Sequence, residues 1–163
     1  MAGAHDDDPR PLRVAAAVIR AGAGTASGAA PFEAGYATPR SARAILLARR
    51  RPGKRHAGRW ELPGGKLETG EDGPRCLVRE LVEELGITVR VGVFVGEHVH
   101  DYWADPAHGG RIALAAWEAE IVGGNWTLVD HDRLAWALPS ELARFELAAA
   151  DVPIARLLAE RER

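Results

Sequence analysis

Glu80, Glu83 and Glu84 carry the densest chemistry in this chain. They stand at i, i+3 and i+4 within Arg79-Glu80-Leu81-Val82-Glu83-Glu84-Leu85-Gly86. On a helix that spacing stacks three carboxylates on one face. Like charges so close repel one another, and no lysine stands among them to neutralise the group. A divalent cation is the simplest partner, and all-oxygen ligands suit Mg²⁺, with Mn²⁺ able to substitute. Read from RELVEEL alone, the competing account is a solvated acidic helix face.

The elements that must position these acids can be read around them. Thr69 or Asp72 caps the start of the acidic helix, Pro74 suits its first turn and Gly86 ends it. Val78, Leu81, Val82 and Leu85 recur at i, i+3, i+4, i+7 and form its expected apolar face. Leu12 to Ile19 and Ala44 to Ala48 read as buried strands, and Trp60-Glu61-Leu62 as a short one ending in Pro63-Gly64-Gly65. Further strand-like runs are Thr88 to Val95, Glu97 to Tyr102, Ile112 to Ile121 and Leu134 to Ala137, with a turn at 104–110. Pro139-Ser140-Glu141-Leu142 opens a helical turn, and Pro153 to Glu162 forms a last helix with Asp151 near its cap. Residues 1–11 read as a flexible acidic tail and 12–163 as one domain. Residues 21–43, rich in Gly, Ala and Ser, form a long mobile loop inserted between two strands.

Bulk properties narrow the function classes. A net charge of −2 lacks the basic footprint expected of a nucleic-acid binder. The single cysteine, Cys76, rules out an internal disulfide and reads as inert packing. No apolar run reaches the roughly 18 residues of a membrane span, and the first residues lack a signal-peptide pattern. The expectation is a cytoplasmic enzyme, monomer or homodimer, whose partner is a small molecule. His98 and His100 read as polar rim residues rather than metal ligands, and the five tryptophans as core or rim.

The motif then resembles a known family. Gly65, Glu71, Arg79-Glu80-Leu81, Glu83-Glu84 and Gly86-Ile87 match the Nudix box at every defined position, over 23 of 163 residues. The flanks Trp60-Glu61-Leu62-Pro63-Gly64-Gly65-Lys66, 130–136 and Ala150-Asp151-Val152-Pro153 resemble the MutT branch, which hydrolyses nucleoside triphosphates. The 150–153 stretch is most similar to enzymes acting on CTP or dCTP. The loop at 21–43 is longer than that of a typical member. The resemblance implies an α+β fold, a mixed β-sheet sandwiched between helices. It implies Mg²⁺-dependent conversion of a triphosphate to monophosphate and pyrophosphate, with water attacking the β-phosphorus, and a role in cleansing the nucleotide pool.

It also implies roles residue by residue. Glu80, Glu83 and Glu84 would bind metal, joined by the Gly64 carbonyl and by Asp130, where many relatives carry Glu. Glu80 would be the general base, although the residues alone do not separate it from Glu83 or Glu84. Arg79 would pair with box carboxylates, Glu83 at i+4 or Glu71 from the loop. Gly65, Glu71 and Gly86 would shape the box. Arg50 and Lys66 match phosphate-contacting positions, with Arg49 and Arg51 competing for the first role. Asp151 matches a base-reading position. An ionised Asp only accepts hydrogen bonds, so it suits the amine of cytosine or the N–H edge of a guanine-type base and disfavours uracil; alternatively it caps the final helix. Substrates therefore divide between 8-oxo-dGTP and CTP or dCTP. The rivals are hydrolysis of ADP-ribose or a nucleotide sugar, and a non-catalytic nucleotide-binding module.

Overall fold

Strands β1 (Leu12–Arg20) and β2 (Ile45–Arg50) are apolar on both faces, so their sheet must be covered twice. The alternation is strict. Ala15, Ala17 and Ile19 enter one core with Leu46 and Ala48, while Ala16 and Val18 enter the other with Ile45 and Leu47. A computed structural model describes residues 10–22, 24–102 and 110–162. In it, helix α1 (Gly73–Leu85) covers the first face and helix α2 (Val152–Arg161) covers the second. This is an α+β fold, a mixed sheet between helices.

The remaining strands are β3 (Trp60–Glu61), β4 (Gly64–Lys66), β5 (Ile87–Asp101), β6 (Arg111–Gly124) and β7 (His131–Ala137). The sheet runs β3-β2-β1-β6-β5, with β4 also pairing β1 and β7 pairing β2. Only β1 and β6 are parallel; the other pairs are antiparallel. β1 changes neighbour along its length. Arg20 meets Ile45 of β2, whereas Val14 to Ala16 meet Lys66 to Gly64 of β4. The glycines before α1 are thereby stitched onto the start of β1, and the acidic helix follows directly.

Local chemistry sets the ends of α1. The Asp72 carboxylate accepts from the Arg75 N–H at 2.9 Å, Pro74 occupies the first turn, and Gly86 at φ 70° closes the helix onto the Val82 carbonyl. The apolar face differs from expectation. Cys76, Leu77, Leu81 and Leu85 are buried, whereas Val78 and Val82 lie on the solvent side. The sheet lies under the i+4 row 73, 77, 81, so Val78 and Val82 fall one row outside it.

Three further expectations change. The runs at 88–95 and 97–102 form one strand, β5, whose register against β6 shifts between Val91 and Gly96. The 21–43 loop is not a loose insert. Ser27 bridges Asn125, Phe32 bridges Leu134, and the Leu134 N–H donates to the Pro31 carbonyl at 2.9 Å. Asp151 makes no side-chain cap on α2. The expected turn at 104–110 falls outside the described residues except for Gly110. Pro139–Arg144 forms a 3₁₀ turn. Among the described residues, no helix is long and apolar enough to cross a membrane.

Candidate active site

Between the start of β1, the glycine loop and α1 lies a cleft of about 320 Å³. Its lining is mixed. Leu12, Val14, Leu62, Ile112 and Leu114 give it apolar surface, and Glu61, Glu80, Glu84 and Asp130 line it together with Arg50 and Lys66. Asp151 also lines it. Residues from β1, β2, β3, β4, α1 and the approach to β7 thus converge although they span 140 positions, from Leu12 to Asp151.

Helical geometry decides which acids face the cleft. Cys76, Glu80 and Glu84 share one i+4 row, beside the buried row, so Glu80 and Glu84 are partly covered. Glu83 belongs with Arg79 on the next row. It is 59% exposed, its carboxylate lies 3.4 Å from Arg79 Nη1, and it does not line the cleft. Glu80 lies tight against the loop. A Cβ on Gly65 would come within 2.2 Å of the Glu80 carboxyl carbon, so any side chain there would push the Glu80 carboxylate out of its seat.

Arg79 is the clamp between loop and helix. Its Nε and Nη2 both bond Glu71, each at 2.8 Å, Nη1 meets Glu80 at 2.7 Å, and Nη2 donates to the Lys66 carbonyl at 3.1 Å. The guanidinium, with the Glu68 N–H adding its donor, holds the Glu71 carboxyl down to about 2. Cys76 lies beneath, its thiol pushed up to about 12 by burial and reaching the Gly65 carbonyl at 3.4 Å. Packing is its only evident work.

The cleft acids are short of positive charge. Burial, with Glu80 and Asp130 nearby, pushes the Glu84 carboxyl up to about 8. Lys54 bonds Asp130 at 2.8 Å and holds it below the usual carboxylate range. Among the described residues, no three such side chains are already drawn into a closed ligand cluster. Arg79 and Lys54 each occupy an oxygen of Glu80 and Asp130 instead. The donor set of Glu80, Glu84, Asp130 and the Gly64 carbonyl is nonetheless all oxygen and carries excess negative charge, which fits a hard divalent cation.

The three consecutive arginines separate cleanly. Arg49 forms a two-point pair with Asp132 at 2.8 and 3.0 Å, and Arg51 donates to the carbonyls of Leu128 and His131. Arg50 alone of the three lines the cleft, its Nε bonded to the Arg55 carbonyl and its Nη1 3.6 Å from Glu61. Asp151 is 3% exposed, and its Oδ1 accepts from the Leu62 N–H at 2.9 Å. Burial, reinforced by Glu61, raises its pKa well above the ordinary value. That environment disfavours the charged form, and the neutral carboxyl can donate as well as accept, whereas the ionised group expected from sequence only accepts.

A model of the NUDIX domain matches residues 34–158. The chain is 40% identical over 110 residues to the CTP pyrophosphohydrolase of Escherichia coli, covering 68% of this chain and 78% of that one. The chain belongs to the NUDIX family. A putative 8-oxo-dGTP diphosphatase 2 of Mycobacterium tuberculosis is also 40% identical, over 66% of this chain and 73% of its own length. The solution structure of the E. coli ORF135 protein superposes with a TM-score of 0.70 at 31% identity, covering 94% of this chain and 91% of that one. NUDIX hydrolases generally work with a divalent metal, consistent with the acid-rich wall.

Sequence reasoning missed several NUDIX cleft neighbours, Arg55 and His56 on its lining among them. Glu61 lines the cleft, Lys54 holds Asp130, and His131, fully buried, bonds Glu61 at 2.7 Å. Strand pairing places two of them, Glu61 through Ala48 and His131 through Arg50, and Lys54 stands in the turn between β2 and β3. The only local signal was position: Glu61 precedes the glycine loop and His131 follows Asp130. Trp60 and Trp136 are buried away from the cleft, and the rings of His98 and His100 lie 6.2 Å apart, tilted, on β5 without further ligands among the described residues.

Proposed function

We propose that this protein is a Mg²⁺-dependent nucleoside triphosphate pyrophosphohydrolase of the MutT type, releasing a nucleoside monophosphate and pyrophosphate. The observation that carries the reading is the mixed lining of one cleft: four acids with Arg50 and Lys66, together with apolar side chains and the buried Asp151. A nucleoside triphosphate has the same mixture, anionic at one end and flat and apolar with a few polar edges at the other. The relatives named for CTP and for 8-oxo-dGTP support this substrate class.

Glu80, Glu84, Asp130 and the Gly64 carbonyl would hold Mg²⁺, with Glu83 contributing from the solvent rim. When bound, the ion supplies charge neutralisation and a more acidic water. The chain's own residues do the rest. Arg50 offers a forked donor to phosphate oxygens and Lys66 a mobile point charge. Glu80, seated on Gly65, is the general base, receiving the proton of the attacking water. Arg79 keeps loop and helix in register while that happens.

Asp151 reads the base. Its Oδ1 is occupied by Leu62, so the second oxygen meets the nucleobase, and in its protonated form it donates. That donor suits a ring nitrogen such as N3 of cytosine, or a carbonyl. The test is a panel of CTP, dCTP, 5-methyl-dCTP, UTP, dGTP, 8-oxo-dGTP and ADP-ribose compared by kcat/KM with Mg²⁺. Triphosphates should lead, with a cytidine or 8-oxo-guanine nucleotide first. ADP-ribose at the top would overturn the assignment.

A further inference from the structure

His131 is a buried histidine that nothing in the proposed chemistry uses. It begins β7 and is 0% exposed. Its Nε2 lies 2.7 Å from Glu61 Oε1 on β3, and its Nδ1 lies 3.9 Å from Glu84 Oε2 on α1. Nδ1 is buried and has no hydrogen-bond partner among the described residues. Its backbone is fixed as well: β7 pairs it with Arg50, and its carbonyl accepts from Arg51 at 3.1 Å. The ring therefore stands at the junction of sheet and helix, wedged between two acids that both line the cleft.

A buried ring nitrogen without a partner is costly, and native chains rarely keep one without a use. The group nearest to this one is Glu84. We propose that His131 is a positioning residue: anchored by Glu61 through Nε2, it presents Nδ1 to Glu84 and fixes where that carboxylate stands on the cleft wall. The inference rests on the hydrolase reading of the cleft for its kinetic consequence, but not for its structural one. His131 itself lies behind the acids and touches no substrate. Its effect runs through Glu84, as outer hydrogen-bond partners orient the groups that bind metal in other sites.

Three substitutions separate the two ring nitrogens. His131→Gln can replace the Nε2 contact with Glu61 but places nothing at Glu84. His131→Asn places an amide near the Nδ1 position and abandons Glu61. His131→Phe keeps the ring and loses both. The readouts are thermal midpoint, kcat and KM for CTP with Mg²⁺, and Mn²⁺ affinity of the nucleotide-free enzyme by electron paramagnetic resonance. The expected result is a loss of about 10–100-fold in kcat and in Mn²⁺ affinity for the Gln and Phe variants, with KM nearly unchanged. His131→Asn should recover a measurable part of both. Should the Phe variant not fold, the Gln and Asn pair still decides the matter. Gln and Asn variants with wild-type kcat and wild-type Mn²⁺ affinity would overturn the proposal. If the wild type itself fails to hydrolyse any nucleotide, the hydrolase reading falls, and the Mn²⁺ affinities alone judge His131.

Discussion

At the scale of the residue, the two acids on one i+4 row differ from the third. Glu80 and Glu84 line the cleft, and Glu83 stays at the rim beside Arg79. Glu84→Gln should therefore lower kcat by on the order of 10²–10³-fold, the scale of losing a preorganised charge in a site. Glu83→Gln should cost far less, and steady-state kcat with Mg²⁺ on both folded variants would rank them. Asp151 allows a second prediction, about pH. Its unfolded carboxyl ionises near 3.8, whereas the folded one keeps its proton well above that. The folded state binds the extra proton, so this group's contribution falls as pH rises from about 4 through the folded value. Asn keeps an acceptor for the Leu62 N–H and cannot ionise. Asp151→Asn should therefore raise the thermal midpoint more at pH 8 than at pH 5; an equal change at both would refute the protonated carboxyl. Spacing singled out Glu80, Glu83 and Glu84 together, and the family resemblance singled out Asp151. The burial of Asp151 was not legible, because it depends on Leu62 and Glu61, some ninety positions away.

At the scale of the element, α1 was legible where its signals are local. Asp72, Pro74 and Gly86 cap and stop it as their types require. Its buried row was not legible, because Val78 and Val82 satisfy the same periodicity as Leu77 and Leu81, and only the sheet decides between them. The clamp on this helix gives a further prediction. Lysine cannot reproduce the two-point bond of Arg79 to Glu71 while also reaching Glu80. Arg79→Lys should lower kcat by about tenfold or more. The Glu71 partnership supplies stability above the ordinary carboxylate value of 4.5 that fades as pH falls toward about 2. Acid titrations of stability should show this fading in the wild type and less of it in the variant. The 21–43 loop behaves as an element too. Tyr36 packs on Phe145, which packs on Trp60, and Arg40 bonds Glu141. Phe32, partly buried against the α1-side core, sits edge-on to Trp126. Phe32→Ala should cost about 1–3 kcal/mol, less than a fully buried Phe, and lower the midpoint by about 2–4 °C per kcal/mol. Because the loop does not line the cleft, kcat should stay within about threefold. A large fall in kcat at an unchanged midpoint would make the loop part of the site. Its glycine-rich composition concealed this, since it is held by residues distant in sequence, among them Gly124, Trp126 and Leu134.

At the scale of the whole molecule, the sheet is covered on both faces, and its opening beside β1 brings together residues scattered along the chain. The box was legible because its residues are close in sequence. The support from Glu61, Lys54 and His131 was not, because strand pairing and the turn after β2 assemble it from distant positions. The central claim concerns the reaction carried out in that cleft, and a ³¹P nuclear magnetic resonance time course of CTP or 8-oxo-dGTP with the protein tests it most directly. With Mg²⁺, resonances of the monophosphate and pyrophosphate should rise together, and chelation of the metal should stop them. Release of inorganic phosphate with a diphosphate, or turnover indifferent to chelation, would contradict the account.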